Sequence, residues 1–197
     1  MKREDAYQLL TEMIKSPNLI KHGLAVEAIM RALCKALSLR SQMSQESQKI
    51  EFNEEEWGVV GLLHDADYEL VAKDLDKHTL VTAEKLRSLG VSERIIEGIK
   101  AHHFGIKEVR ENIMEKAVYA SDDTSGLITA VALVMPDKKL SSVEVSSLMK
   151  KFKNKEFAKG ARREQILACE EELNIPLEEF LGISLKAMQG ISNELGL

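Results

Sequence analysis

An all-α fold is what this chain predicts. Its apolar residues recur at helical spacing almost throughout, and capping or stop residues fall at the ends of those stretches. Only two short β-rich runs compete, near 70–72 and 131–134, and both fit helix ends or turns.

Taken in order, Ser16-Pro17 supplies an N-cap and a first-turn proline for a helix from about 17 to 40 with the stripe Ile20, Leu24, Ala28, Leu33 and Leu37. Residues 41–52 are polar and unpatterned and predict a loop. Asn53 then caps, with Glu56 three residues on, a helix running through Trp57, Val60 and Leu63 to His64. Asp76 is positioned to cap a helix over 77–89 that stops at Gly90. Ser92 caps the next, through Ile95, Ile96 and Ile99 to His102 and His103. A long apolar helix over about 111–134 ends at Met135-Pro136. Two more helices are expected at about 161–173 and 176–195, the second opening with Pro176. The composition shifts after Pro136, so residues 1–135 are expected to form a helical core and 136–197 a C-terminal helical extension packed on it.

The composition is that of a globular chain: 197 residues, 44% hydrophobic and 30% charged. A formal charge of -5 argues against general binding to nucleic acid or to anionic membranes. Small ligands and protein partners remain, a homodimer among them. The first residues, Met1 to Asp5, carry two basic side chains but no apolar stretch behind them, so no signal peptide is read there. No apolar run reaches the roughly 18 residues of a membrane span, and a cytoplasmic location is expected. Cys34 and Cys169 each sit among apolar residues at helical spacing and are expected to be buried free thiols.

Every histidine lies between residues 22 and 103, in the series His22, His64-Asp65, His78, His102-His103, and Asp122-Asp123 follows. Imidazole and carboxylate are the usual ligands of Zn, Fe, Ni and Mn. His64 continues the inward stripe of Trp57 and Val60, and Asp65 follows where that helix unwinds. A buried carboxylate is costly unless paired, and no Lys or Arg follows Asp65 before Lys73, so a cation is the cheaper partner. His102 stands seven residues from Ile95 and His103 seven from Ile96, so both rings leave the apolar side of one helix. Periodicity alone does not separate Asp122 from Asp123, since one shares a face with Val118 and the other with Tyr119 and Leu127.

This ordered series resembles the HD superfamily of metal-dependent phosphohydrolases. The segments IKHGLAVEAIM, GLLHDADYE, DKHTLVTAEKL, IKAHH and VYASDDTSGLI carry the likeness over about residues 17–130. The tail from Phe152 to Phe180 resembles the C-terminal helices of small stand-alone bacterial HD proteins. The resemblance implies an HD-type helical bundle in which His22, His64, Asp65 and Asp122 hold a first metal. Asp65 would then bridge to a second, completed by His78, His102 and His103. It prefers Asp122 as the last ligand because that residue follows Tyr-Ala-Ser. Two divalent transition metals (Fe, Mn, Ni, Co or Zn) are implied, with His64 and Asp65 at the catalytic centre. The dipeptide after His64-Asp65 is Ala66-Asp67 where many relatives have Ile-Gly, which reads as a packing difference. Phe104-Gly105-Ile106 follows His103 in place of Gly-Tyr-Pro, so hydrolysis of cyclic dinucleotides is unsupported.

The activity implied is hydrolysis of a small phosphomonoester, nucleotide or cyclic nucleotide by a metal-activated hydroxide. A di-iron oxygenase on the same ligand set and a non-catalytic nucleotide-sensing module are the alternatives. Lys21, Lys77, Lys100 and Asp67 are the nearby candidates for a phosphate anchor or proton source, each read first as a surface charge. Residues 138–163 hold nine Lys or Arg, interleaved with Glu144 and Glu156 and flanked by Asp137 and Glu164. A solvated face is the favoured reading. In the other, Arg162 or Arg163 covers the metal cleft and selects phosphorylated substrates.

Overall fold

A computed structural model describes residues 1–43, 52–71 and 74–197, and among these no strand forms. The expected 17–40 helix is α2 (Pro17–Met43), whose buried stripe of Leu24, Ala25, Ile29, Leu33 and Leu37 faces the core. Around it pack α3 (Glu54–Leu63), α7 (Ile113–Val134) and α10 (Leu177–Gly190). Helix α1 (Arg3–Met13) covers α3, while α6 (Glu93–Lys100) lies between α3, α7 and α5 (Leu80–Ser88), and α9 (Arg163–Glu171) lies along α7. Short α4 (Tyr68–Val71) follows α3, α8 (Val145–Lys153) packs on α7 and α10, and α11 (Ser192–Leu195) returns to α2. Buried residues from Ala6 to Leu195 form one continuous apolar core, which includes both free cysteines. Burial pushes their thiols up to about 11 for Cys34 and about 12 for Cys169, so neither is a ready nucleophile.

Caps and stops account for several helix ends. The Asn53 side chain accepts from the amides of Glu55 and Glu56, and Asn112 does the same for Met114 and Glu115. Glu56 does not turn back to close a capping box; its carboxylate meets Arg94 at 3.2 Å. Gly90 takes φ 72 after α5, the left-handed conformation that ends a helix cheaply.

Other boundaries differ from expectation. Residues 41–43 belong to α2, and the rest of the predicted loop up to residue 51 lies outside the described residues. The 77–89 helix begins only at Leu80, because residues 75–77 form a 3-10 turn and Thr79 takes φ 69. Asp76 therefore caps nothing. The two final helices are shorter than expected: one spans Arg163–Glu171, and the chain breaks at Ile191 between α10 and α11. Leu70 and Val71 lie in α4 and residues 131–134 in α7, so neither β-rich run forms a strand. Helices α1 and α8 were not expected. Both carry legible stripes, Ala6, Leu9, Leu10 and Met13 in one, Val145, Leu148, Met149 and Phe152 in the other.

Two glycines set the crossing that matters most. A Cβ at Gly23 would stand 2.8 Å from the Leu62 carbonyl oxygen, and one at Gly61 2.8 Å from that of Val26. Helices α2 and α3 thus meet backbone to backbone, which brings His22 beside the end of α3.

Candidate metal centre

All five histidines and two of the aspartates converge at the place where α2, the end of α3, the end of α6 and α7 meet. His22 projects from the first turns of α2, and its Nε2 lies 3.1 Å from Nε2 of His64 at the C-terminus of α3. On the other side, Nε2 of His78, in the turn before α5, lies 3.0 Å from Nε2 of His102, just past α6.

Asp65 stands between the two pairs. Its Oδ1 is 3.1 Å from His78 and 3.3 Å from His102, and its Oδ2 is 3.5 Å from His22 and 3.7 Å from His64. His22, His64 and Asp65 form one group whose candidate ligand atoms lie within 4.8 Å of one another, and Asp65, His78 and His102 form a second. Asp122 borders the first group, with Oδ1 3.1 Å from His22 and 3.6 Å from His64. Its neighbour Asp123 turns away and accepts from Nε of Arg162 at 2.9 Å. His103 stands at the edge of the second group, its ring 5.1 Å from that of His78.

Hydrogen bonds fix which imidazole nitrogens face inward. Nδ1 of His64 donates to the Gly61 carbonyl at 2.8 Å, and Nδ1 of His102 to that of Ile99 at 2.7 Å. A carbonyl oxygen only accepts, so each Nδ1 carries the hydrogen and a neutral ring presents a lone pair at Nε2. Ser125 donates its hydroxyl to the Asp122 carbonyl at 2.9 Å and so accepts from Nδ1 of His22, also at 2.9 Å. Nδ1 of His78 donates to Asp67 at 2.8 Å.

Two Nε2 lone pairs at 3.0–3.1 Å repel unless a positive charge lies between them. A proton or a metal ion supplies it. Among the described residues the buried Nδ1 of His103 meets no hydrogen-bond partner. The donor set of imidazoles and carboxylates, each held from behind, fits divalent transition metals.

The electrostatics agree. Burial pushes the His22 imidazole down, but Asp122 and then Asp65 more than offset it, raising it to about 9. His78, opposed by burial and supported by Asp65 and Asp67, is likewise raised to about 9. Burial opposes ionisation of Asp65 and Asp122, yet the surrounding histidines hold both carboxyls well below their usual range. Burial and the charge of Asp122 push Asp123 the other way, up to about 6.

Asp67 is the residue that sequence reasoning undervalued. It is fully buried and, besides His78, accepts from the backbone amides of Thr79 at 3.0 Å and Thr82 at 2.9 Å. It therefore caps α5 from outside the segment and supports the left-handed Thr79, a strain of about 1–3 kcal/mol. The replacement of Ile-Gly by Ala66-Asp67 is thus not only a packing change. A second carboxylate two residues after His64-Asp65 was the available signal.

None of the nearby lysines lines the cavity over the centre. Lys77 pairs with Asp74 at 2.5 Å and Lys100 with Glu97 at 2.8 Å, while Lys21 approaches Gly196 near the C-terminal residues. The basic segment is not one uniform solvated face. Arg163 is buried, with its guanidinium donating to the carbonyls of Phe152 and Phe157 among others, and it holds the loop before α9. Arg162 instead reaches a cavity of about 450 Å³ that is also lined by His22, Asp65, His78, His103 and Asp122.

No helix among the described residues is long and apolar enough to cross a membrane. No curated protein and no solved structure matches the chain. Residues 19–131, more than half of the sequence, match the HD domain. The segment so matched carries every histidine and aspartate of the centre just described, and the chain belongs to the HD domain family, most of whose members are metal-dependent phosphohydrolases.

Proposed function

We propose that the protein is a phosphohydrolase that uses two divalent transition metals to cleave a small phosphomonoester or nucleotide. One observation carries the reading: the oxygens of Asp65 divide between the His22–His64 pair and the His78–His102 pair. A carboxylate shared in this way suits a pair of neighbouring cations.

His22, His64, Asp65 and Asp122 would hold one ion, and Asp65, His78, His102 and His103 the other. When bound, such ions polarise a phosphoryl oxygen and acidify a water molecule. The protein's own part is placement. Gly61, Ile99, Ser125 and Asp67 hold the rings from behind, so the inward nitrogens are aimed before substrate arrives. His64, His78 and His102 are buried, while His22, Asp65 and Asp122 border the cavity, leaving an open side for substrate.

The test is a phosphate-release screen over phosphomonoesters, nucleotides and cyclic nucleotides, with protein loaded separately with Mn, Fe, Ni, Co or Zn. Turnover that disappears with His64→Ala and Asp65→Ala is the expected result. Bound iron with an absorbance or paramagnetic signal and no phosphate release would favour a di-iron oxygenase. Tight nucleotide binding without turnover would favour a sensing module.

A further inference from the structure

Family membership rests on residues 19–131, yet the cleft also receives a side chain from well beyond them. Arg162 immediately precedes α9, in the C-terminal region, and among the described residues lining the cavity over the metal centre it is the one Lys or Arg. The other lining side chains are apolar, imidazole, phenol or carboxylate. Among the described residues that line it, a phosphorylated substrate entering there meets one permanent cation, Arg162.

The way Arg162 is held leaves it free to bind. Nε alone makes a close contact, 2.9 Å to Asp123, and Nη2 is 3.9 Å from Asp122. The side chain keeps 57% of its exposure. Among the described residues most of the guanidinium donors therefore meet no close acceptor, and the planar fork suits two phosphoryl oxygens. Arg163 shows the contrast: its nitrogens are consumed by backbone carbonyls. Asp123 keeps Arg162 over the centre and lies next to Asp122, so the same helix turn that supplies a candidate ligand also fixes the position of the cation.

We infer that Arg162 binds the phosphoryl group of the substrate, so that the C-terminal region completes a phosphate site the HD domain leaves open. This rests on the phosphohydrolase reading, and it makes Arg162 a specificity-determining residue for a terminal phosphate.

Inorganic phosphate titrated calorimetrically into the manganese-loaded protein tests it, with metal content measured in every sample. Arg162→Ala should weaken phosphate binding by about tenfold or more while metal content stays unchanged. Arg162→Lys, which keeps the charge and loses the fork, should fall between. Asp123→Asn removes the charge of the pair but keeps an amide oxygen that can accept from Nε of Arg162, so the guanidinium stays in place and phosphate should bind within about threefold of the wild type. Equal weakening in Arg162→Ala and Asp123→Asn would mean that the pair is only structural, and would overturn the inference. So would a wild-type protein that binds no phosphate, or an Arg162→Ala variant that binds it as tightly. Phosphate binding that depends on Arg162 in a protein that hydrolyses no ester would uphold the anchor and end the phosphohydrolase reading instead.

Discussion

His78 and Asp67 meet at 2.8 Å in the interior, and that contact ties the metal centre to the start of a helix. One carboxylate both orients an imidazole through Nδ1 and accepts from the amides of Thr79, just before α5, and Thr82 in its first turn. Removing it would leave those donors buried without partners. Asp67→Ala should therefore weaken binding at the His78–His102 position about 10–100-fold. It should also cost stability, on the order of 1–3 kcal/mol for each donor left unpaired. Competition against a metal chelator and thermal denaturation read the two effects. Unchanged metal affinity would show that His78 needs no support from behind.

Metal removal should be felt through the whole fold. The candidate ligands come from α2, the end of α3, the turn before α5, the end of α6 and α7, so cations at their meeting point bind the folded state alone. At a thousandfold excess over its Kd, each ion adds about 4 kcal/mol. Chelation should lower Tm by on the order of 10 °C or more for a domain of this size. A melting curve unmoved by chelator would mean that the histidines are satisfied without metal.

Protons compete for the same places. In the metal-free protein His22 and His78 are raised to about 9, so near neutral pH each holds a proton that a cation must displace. Raising the pH removes the competitor, and affinity should climb about tenfold per pH unit at each position, levelling off near pH 9. Chelator competition from about pH 6 to about pH 8 measures the slope, and a flat profile would contradict the assignment of these two rings as ligands.

The backbone contact of α2 with α3 makes a prediction far from chemistry. Gly61→Ala would place a methyl group 2.8 Å from the Val26 carbonyl oxygen, with Glu27 backbone atoms at 2.9 Å. The helices must separate, at a cost of about 1–3 kcal/mol. Because His22 and His64 sit on the two sides of that crossing, metal affinity at their shared position should drop as well. A variant with wild-type Tm and metal binding would show that the crossing has slack.

What could be read from the sequence follows from how local the cause is. The stripe of α2, the apolar run of α7 and the cap at Asn53 depend on near neighbours and were legible, whereas the cap at Asn112 was not read. So was the histidine series, because each residue could be placed at a helix end or on a face. The start of α5 was not legible, since its cap comes from Asp67, which periodicity does not connect to Leu80. Arg162 and Arg163 are adjacent in sequence yet one faces the cleft and the other is buried against carbonyls. Only the path of the loop before α9 separates them. Likewise, periodicity did not separate Asp122 from Asp123, and only the family likeness preferred Asp122: both lie on α7, but Asp122 is the one that approaches His22 and His64.

Elemental analysis of protein purified without added metal, run beside His22→Ala, His102→Ala and Asp65→Ala, bears most directly on the shared carboxylate. The wild type should carry about two equivalents of transition metal, each histidine variant about one, and Asp65→Ala close to none. Wild-type protein free of metal, or an Asp65→Ala variant that retains the full complement, would contradict the account.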